Sequence, residues 1–148
     1  MSTTPMKVVL VDDDEDDRMF FVDALQEIDI ETDLKELHNG QELLTYLSNA
    51  NGKLPQLIFL DLNMPVMDGF SCLKEIRKNP DYEDLVIAIY STSSSERDIE
   101  ETFINGANIY INKPNKFEEL KKTIAQVVKR NWQYQENELN KANFLFRI

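Results

Sequence analysis

Lys7-Val-Val-Leu-Val-Asp-Asp13, Gln56-Leu-Ile-Phe-Leu-Asp61 and Leu85-Val-Ile-Ala-Ile-Tyr-Ser91 decide the fold of this 148-residue chain. Each holds an apolar run, Lys7 to Val11, Gln56 to Leu60 and Leu85 to Tyr90, that is too short for a helix and stops at aspartate or serine. Unbroken rather than alternating hydrophobicity means strands covered on both faces, as in a parallel sheet flanked by helices. Two more polar stretches, Thr32 to Leu37 and Asn108 to Asn112, are expected to be the sheet edges.

The segments between these strands carry helical spacing: Phe21, Leu25, Ile28; Leu43, Leu44, Leu47; Phe70, Leu73, Ile76; Ile99, Phe103; and Phe117, Leu120, Ile124, Val127, Val128. Asn39-Gly40, Asn79-Pro80 and Asn105-Gly106 punctuate the pattern. Strict alternation of strand and helix implies right-handed crossovers and an open, doubly wound α/β fold with five strands. Ligands of such sheets bind outside the carboxyl ends of the strands. That rule selects Asp12 and Asp13, then Asp61, then Ser91 and Thr92, then Lys113-Pro114.

Composition narrows the function. Sixteen Lys and Arg against 27 Asp and Glu leave a formal charge of −11, which repels nucleic acid and anionic membrane. No stretch approaches the roughly 20 apolar residues of a spanning helix. Nor does a signal peptide's apolar core follow Lys7. With Cys72 as the single cysteine, expected as a small buried hydrophobe, the chain reads as a cytoplasmic protein. One domain over residues 1–130 is expected, followed by a C-terminal helical extension or tail over 131–148 whose apolar end is Phe144, Leu145, Phe146 and Ile148.

Three carboxylates at one mouth repel each other, and a cation reverses that penalty. Hard oxygens without a Cys or His cluster suit Mg²⁺ or Mn²⁺ rather than zinc. Asp13, Asp61 and the backbone carbonyl of Asn63 would suffice as ligands, with Asp12 acting through water. A cation, a hydroxyl at Ser91 and an ammonium at Lys113 form a site for phosphoryl oxygens, and Asp61 is then the nucleophile, since aspartate forms acyl phosphates.

This combination resembles the receiver domain of two-component response regulators. The residues that carry the resemblance are Val11-Asp12-Asp13, the stretch Leu60-Asp-Leu-Asn-Met-Pro-Val-Met-Asp-Gly69, Ser91, Gly106-Ala107 and Tyr110-Ile-Asn-Lys-Pro114. It spans roughly residues 6 to 130 and implies a flavodoxin-like sheet of order 2-1-3-4-5. It further implies that Asp61 accepts a phosphoryl group from a sensor histidine kinase or histidine phosphotransfer protein. Asp12 and Asp13 match the pair that holds Mg²⁺, Ser91 and Tyr110 the switch residues, and Lys113 the phosphoryl-contacting lysine. The bond to Pro114 is expected to be cis. Thr92, where many relatives carry a smaller residue, is expected to restrict access, while Asn63 and Ser93 occupy the variable positions that influence hydrolysis.

Such a module is a signalling domain rather than an enzyme, with slow self-dephosphorylation at most. As a monomer or weak homodimer it would act on a downstream protein through altered contacts. A haloacid-dehalogenase-like phosphatase would need a second aspartate where Asn63 stands, and flavin binding a neutral loop where Asp12 to Asp17 stand. Asp14, Glu15, Asp16 and Asp17 are read as the first turn of a helix, with no catalytic role. His38 is expected to be merely solvated, and Ser95 to cap the helix that follows it.

Overall fold

A computed structural model describes residues 5–130 and 145–146 of the chain. The elements follow in the order β1 (Met6–Val11), α1 (Glu15–Gln26), β2 (Thr32–Leu37), α2 (Gly40–Ser48), β3 (Leu57–Leu60), α3 (Gly69–Lys78), a 3₁₀ turn (Pro80–Tyr82), β4 (Val86–Ser91), α4 (Glu96–Ile104), β5 (Ile109–Asn112), α5 (Phe117–Val128) and β6 (Leu145–Phe146). The sheet is parallel in the order β2-β1-β3-β4-β5-β6, so the five expected strands take the expected order.

The sixth strand corrects one expectation. β5 is not an edge, because Tyr110 and Ile111 pair with Leu145 and Phe146. β5 itself is short and apolar, and its Ile109, Tyr110 and Ile111 are buried. The rest of the C-terminal stretch expected as a helical extension or tail lies outside the described residues.

Successive strand side chains point to opposite faces, and the core divides accordingly. Val9, Val11, Ile58, Leu60, Ile87 and Ile89 face α2, α3 and α4 through Leu43, Leu47, Leu73, Ile76 and Ile99. Val8, Leu10, Leu57, Phe59, Ala88 and Tyr90 face α1 and α5 through Phe21, Leu25, Leu120, Ile124 and Val127. Both sets are apolar, which is why the strands read as unbroken runs. Cys72 is buried on the first face, where burial pushes its thiol up to about 12 and Sγ donates to the Gly40 carbonyl at 3.4 Å.

Helix starts follow local chemistry. Asp14, Asn39, Asp68 and Ser95 each accept a backbone N–H three residues on, capping α1, α2, α3 and α4. Ser95 therefore caps α4 as expected. No peptide bond among the described residues is cis, so the Lys113–Pro114 bond is trans, the form an X–Pro bond ordinarily prefers.

Candidate functional site

The register aligns the carboxyl ends of the central strands. Val11 pairs with Leu60, Leu60 with Ile89, and Ile89 with Tyr110. Asp12 and Asp61 therefore stand level, each donating its backbone N–H at 3.0 Å to the strand beside it, at Leu37 and Val11. Strand parity carries their side chains, with those of Tyr90 and Lys113, to the α1/α5 side. Ser91 and Tyr110 fall on the α4 side by the same alternation.

Lys113 joins these groups. Its Nζ donates to Asp12 Oδ2 at 2.8 Å, to Asp17 Oδ2 at 2.9 Å and to Asp61 Oδ2 at 3.5 Å, and lies 5.1 Å from the centroid of the Tyr90 ring. Burial works against the ammonium's charge, but the hydrogen bonds to Asp12 and Asp17 and the charge of Asp61 prevail, so its pKa is raised.

Asp12 is wholly buried and fully engaged: Oδ1 accepts the Asp14 N–H at 3.0 Å, Oδ2 accepts from Lys113, and its carbonyl accepts from Arg18 Nη1 at 2.7 Å. In Asp61, Oδ1 accepts the Leu62 N–H at 2.8 Å, which orients the carboxylate. Burial raises the Asp61 pKa to about 6, against the pull of Lys113 and with a further push from Asp12.

One oxygen each of Asp12, Asp13 and Asp61 lie within 4.8 Å of one another. Three carboxylate oxygens at that spacing are a hard donor set that fits a divalent cation such as Mg²⁺. The cluster opens on a cleft of about 560 Å³ also lined by Asp17, Asn63, Thr92 and Lys113. Thr92 thus stands at the mouth, where the sequence placed it.

The hydroxyl pair lies on the other side of the strand ends. Ser91 is buried and its Oγ accepts the Ser93 N–H at 3.1 Å, while Tyr110, also buried, donates its hydroxyl to the Ser93 carbonyl at 2.8 Å. Burial raises the Tyr110 pKa, against the hydrogen bonds that its hydroxyl makes. Ser93 Oγ donates to Asp98 Oδ2 at 2.7 Å and so ties this loop to the first turn of α4. His38 is exposed, with Nδ1 3.3 Å from Glu42.

The sequence reading missed three participants. Asp17, assigned only to a helix turn, reaches Lys113; Tyr90 is the floor beneath that lysine; and Arg18 pins the Asp12 carbonyl. Nothing in the run Asp12 to Asp17 marks which acid turns inward, because that depends on how α1 lies beside the end of β5.

The chain belongs to the response regulator receiver domain family, which it matches over residues 8–125. Response regulator Rcp1 of Synechocystis is 30% identical over 127 residues, 83% of this chain and 86% of the relative. The phosphorylated cyanobacterial phytochrome response regulator RcpA superposes with a TM-score of 0.77 at 30% identity, covering 84% of this chain and 91% of that one. The Mn²⁺-bound form of Rcp1 gives 0.75 at 29% identity, covering 83% and 91%. Receivers are signalling domains of two-component systems, and they bind Mg²⁺ at an acidic site.

Proposed function

We propose that this chain is a phosphoryl-controlled switch in which Asp61 accepts a phosphoryl group from a sensor histidine kinase or histidine phosphotransfer protein. The observation that carries the reading is the Asp61 carboxylate, which lines the cleft with Lys113 Nζ at 3.5 Å and an oxygen each of Asp12 and Asp13 within 4.8 Å.

In the transfer, the P–N bond of a phosphohistidine breaks as a bond forms from phosphorus to an Asp61 carboxylate oxygen, and the imidazole leaves with the electron pair. The Leu62 N–H holds the attacking carboxylate in place. Lys113 supplies a positive charge for the phosphoryl oxygens. A divalent cation held by Asp13, Asp61 and the Asn63 carbonyl, with Asp12 beside it, would neutralise the remaining oxygen charge.

The signal passes through Ser91. Turning its hydroxyl toward a phosphoryl group gives up the bond from the Ser93 N–H, and Ser93 also holds Tyr110 and α4. A local charge change thereby biases the face formed by α4 and β5. Residues 1–130 carry the phosphoacceptor site, and of the segment after them Leu145 and Phe146 add a strand to the same sheet beside β5. The reading is of a cytoplasmic monomer or weak homodimer that acts on a protein target rather than on nucleic acid, in keeping with the charge of −11. No helix among the described residues is long and apolar enough to cross a membrane. Turnover is limited to slow loss of the phosphoryl group, with Asn63 and Thr92 lining the cleft beside Asp61.

Acetyl phosphate with Mg²⁺ should add one phosphoryl group to the full chain, read by intact mass, and Asp61→Asn should abolish the gain. Modification that persists in Asp61→Asn, or none in the wild type, overturns the reading.

A further inference from the structure

An ammonium has three hydrogens to donate, and Lys113 spends all three on carboxylates. The two short bonds, 2.8 Å to Asp12 and 2.9 Å to Asp17, draw Nζ toward α1, and the contact to Asp61 stays at 3.5 Å. A phosphoryl group on Asp61 would occupy the cleft that Asp17 also lines. The hydrogen now directed at Asp61 can pass to that group, and drawing the ammonium in from 3.5 Å to a short bond lengthens its bond to Asp12 or to Asp17.

The two partners differ in what release costs. Asp12 is 0% exposed, and its side chain would be left buried without a counter-ion. Asp17 is 41% exposed, so water can take the place of the lysine. It also sits in the first turn of α1, where backbone N–H groups stabilise a carboxylate whether or not it is paired. Asp17 is therefore the partner that yields.

We propose that Asp17 is a positioning residue that parks the Lys113 ammonium away from Asp61 and opposes its engagement by a phosphoryl group. The proposal rests on the reading of Asp61 as phosphoacceptor. Asp17 does not touch the reacting atoms; it acts through Lys113, setting how strongly a phosphoryl group must compete for that lysine. A purely structural role, fastening α1 to the end of β5, predicts the opposite sign: loosening the lysine would then weaken phosphoryl binding.

The test uses the full chain as wild type, Asp17→Asn, Asp17→Glu and Asp16→Asn, the last removing a neighbouring charge that has no bond to Lys113. Beryllofluoride affinity at saturating Mg²⁺ is measured by ¹⁹F NMR, and the ¹H–¹⁵N signal of the Lys113 ammonium is followed in metal-free protein. Asp17→Asn is expected to tighten beryllofluoride binding about threefold to fivefold, the range of a half-exposed ion pair. Asp17→Glu should return it toward wild type and Asp16→Asn should change it less. Asp17→Asn should also shift or broaden the Lys113 signal.

Weaker binding in Asp17→Asn, or an equal gain in Asp16→Asn, overturns the proposal. If no variant binds beryllofluoride, the phosphoacceptor reading fails instead. The parking of Lys113 is then decided by its ammonium signal, and a signal unmoved in Asp17→Asn overturns it.

Discussion

Asp61 Oδ2 stands 3.5 Å from Lys113 Nζ, farther than either of the other two carboxylates that this lysine holds. Asp61 is thus the least compensated of the three acids that Lys113 holds, and burial lifts its pKa to about 6. In the unfolded chain an aspartate titrates near 3.9. The folded state therefore holds a proton between about pH 4 and 6 that the unfolded state has released, and stability falls as pH rises through that window. In metal-free buffer at pH 8, Asp61→Asn should be more stable than wild type by about 3 kcal/mol, and the gap should close toward pH 4. Urea unfolding of both proteins across that range checks it; a gap that widens on acidification contradicts it.

Gly69 opens α3 directly behind Asp61. Its N–H donates to the Leu62 carbonyl at 2.9 Å, and a β-carbon there would run into the Asp61 carbonyl oxygen, with Leu62 Cα at 2.9 Å. Backbone cannot move aside as a flexible side chain can, so Gly69→Ala must shift the end of β3 or the start of α3. A loss of about 2 kcal/mol is expected, as for other overpacked sites. Phosphoryl acceptance from acetyl phosphate should fall with it, because the atom displaced belongs to Asp61.

Val66 lies in the loop between Asp61 and α3 with φ +68°, a region that β-branched residues rarely enter. The Met67 N–H donates to the Pro65 carbonyl at 2.7 Å, closing a tight three-residue turn around it. Its side chain is 83% exposed, so no buried contact offsets the strain. Val66→Gly should raise stability by about 0.5–1 kcal/mol, the strain relieved less the added freedom of glycine in the unfolded chain. A melting temperature lowered by the change would show that the turn carries no strain.

Arg77 fastens the far side of the sheet. Nε donates to Gly106 O at 2.9 Å, Nη1 to Tyr82 O at 2.9 Å, and Nη2 to Leu85 O at 2.8 Å and Asn108 Oδ1 at 2.9 Å. Burial lowers its pKa. Arg77→Ala strips the donor from the backbone carbonyls of Gly106, Tyr82, Glu83 and Leu85 and from Asn108 Oδ1, and should cost about 3 kcal/mol in urea unfolding. Arg77→Lys should recover less than half of that, since a point ammonium cannot reproduce the planar fork.

Much of this was legible beforehand because it depends on short-range pattern. Unbroken apolar runs ending in aspartate or serine gave the parallel strands and the end of the sheet where the acids gather. Asn39, Ser95 and the acidic turn of α1 needed only local hydrogen bonding. β6 was not legible: the pairing of Leu145 and Phe146 with β5 depends on where the chain returns after α5, which no local pattern encodes.

The sequence by itself determined the strand order's ingredients, the acids and hydroxyls at the strand ends, and the lysine after β5. Only the tertiary structure decided their pairings. Strand parity and the seat of α1 beside α5 turned Asp17, alone of the acids after Asp13, onto Lys113, and slid Tyr90 beneath it. The physical reason is reach. Hydrophobic periodicity is written within a few residues, whereas Lys113 meets Asp17 across 96 positions of chain, and only the packed helices bring them together.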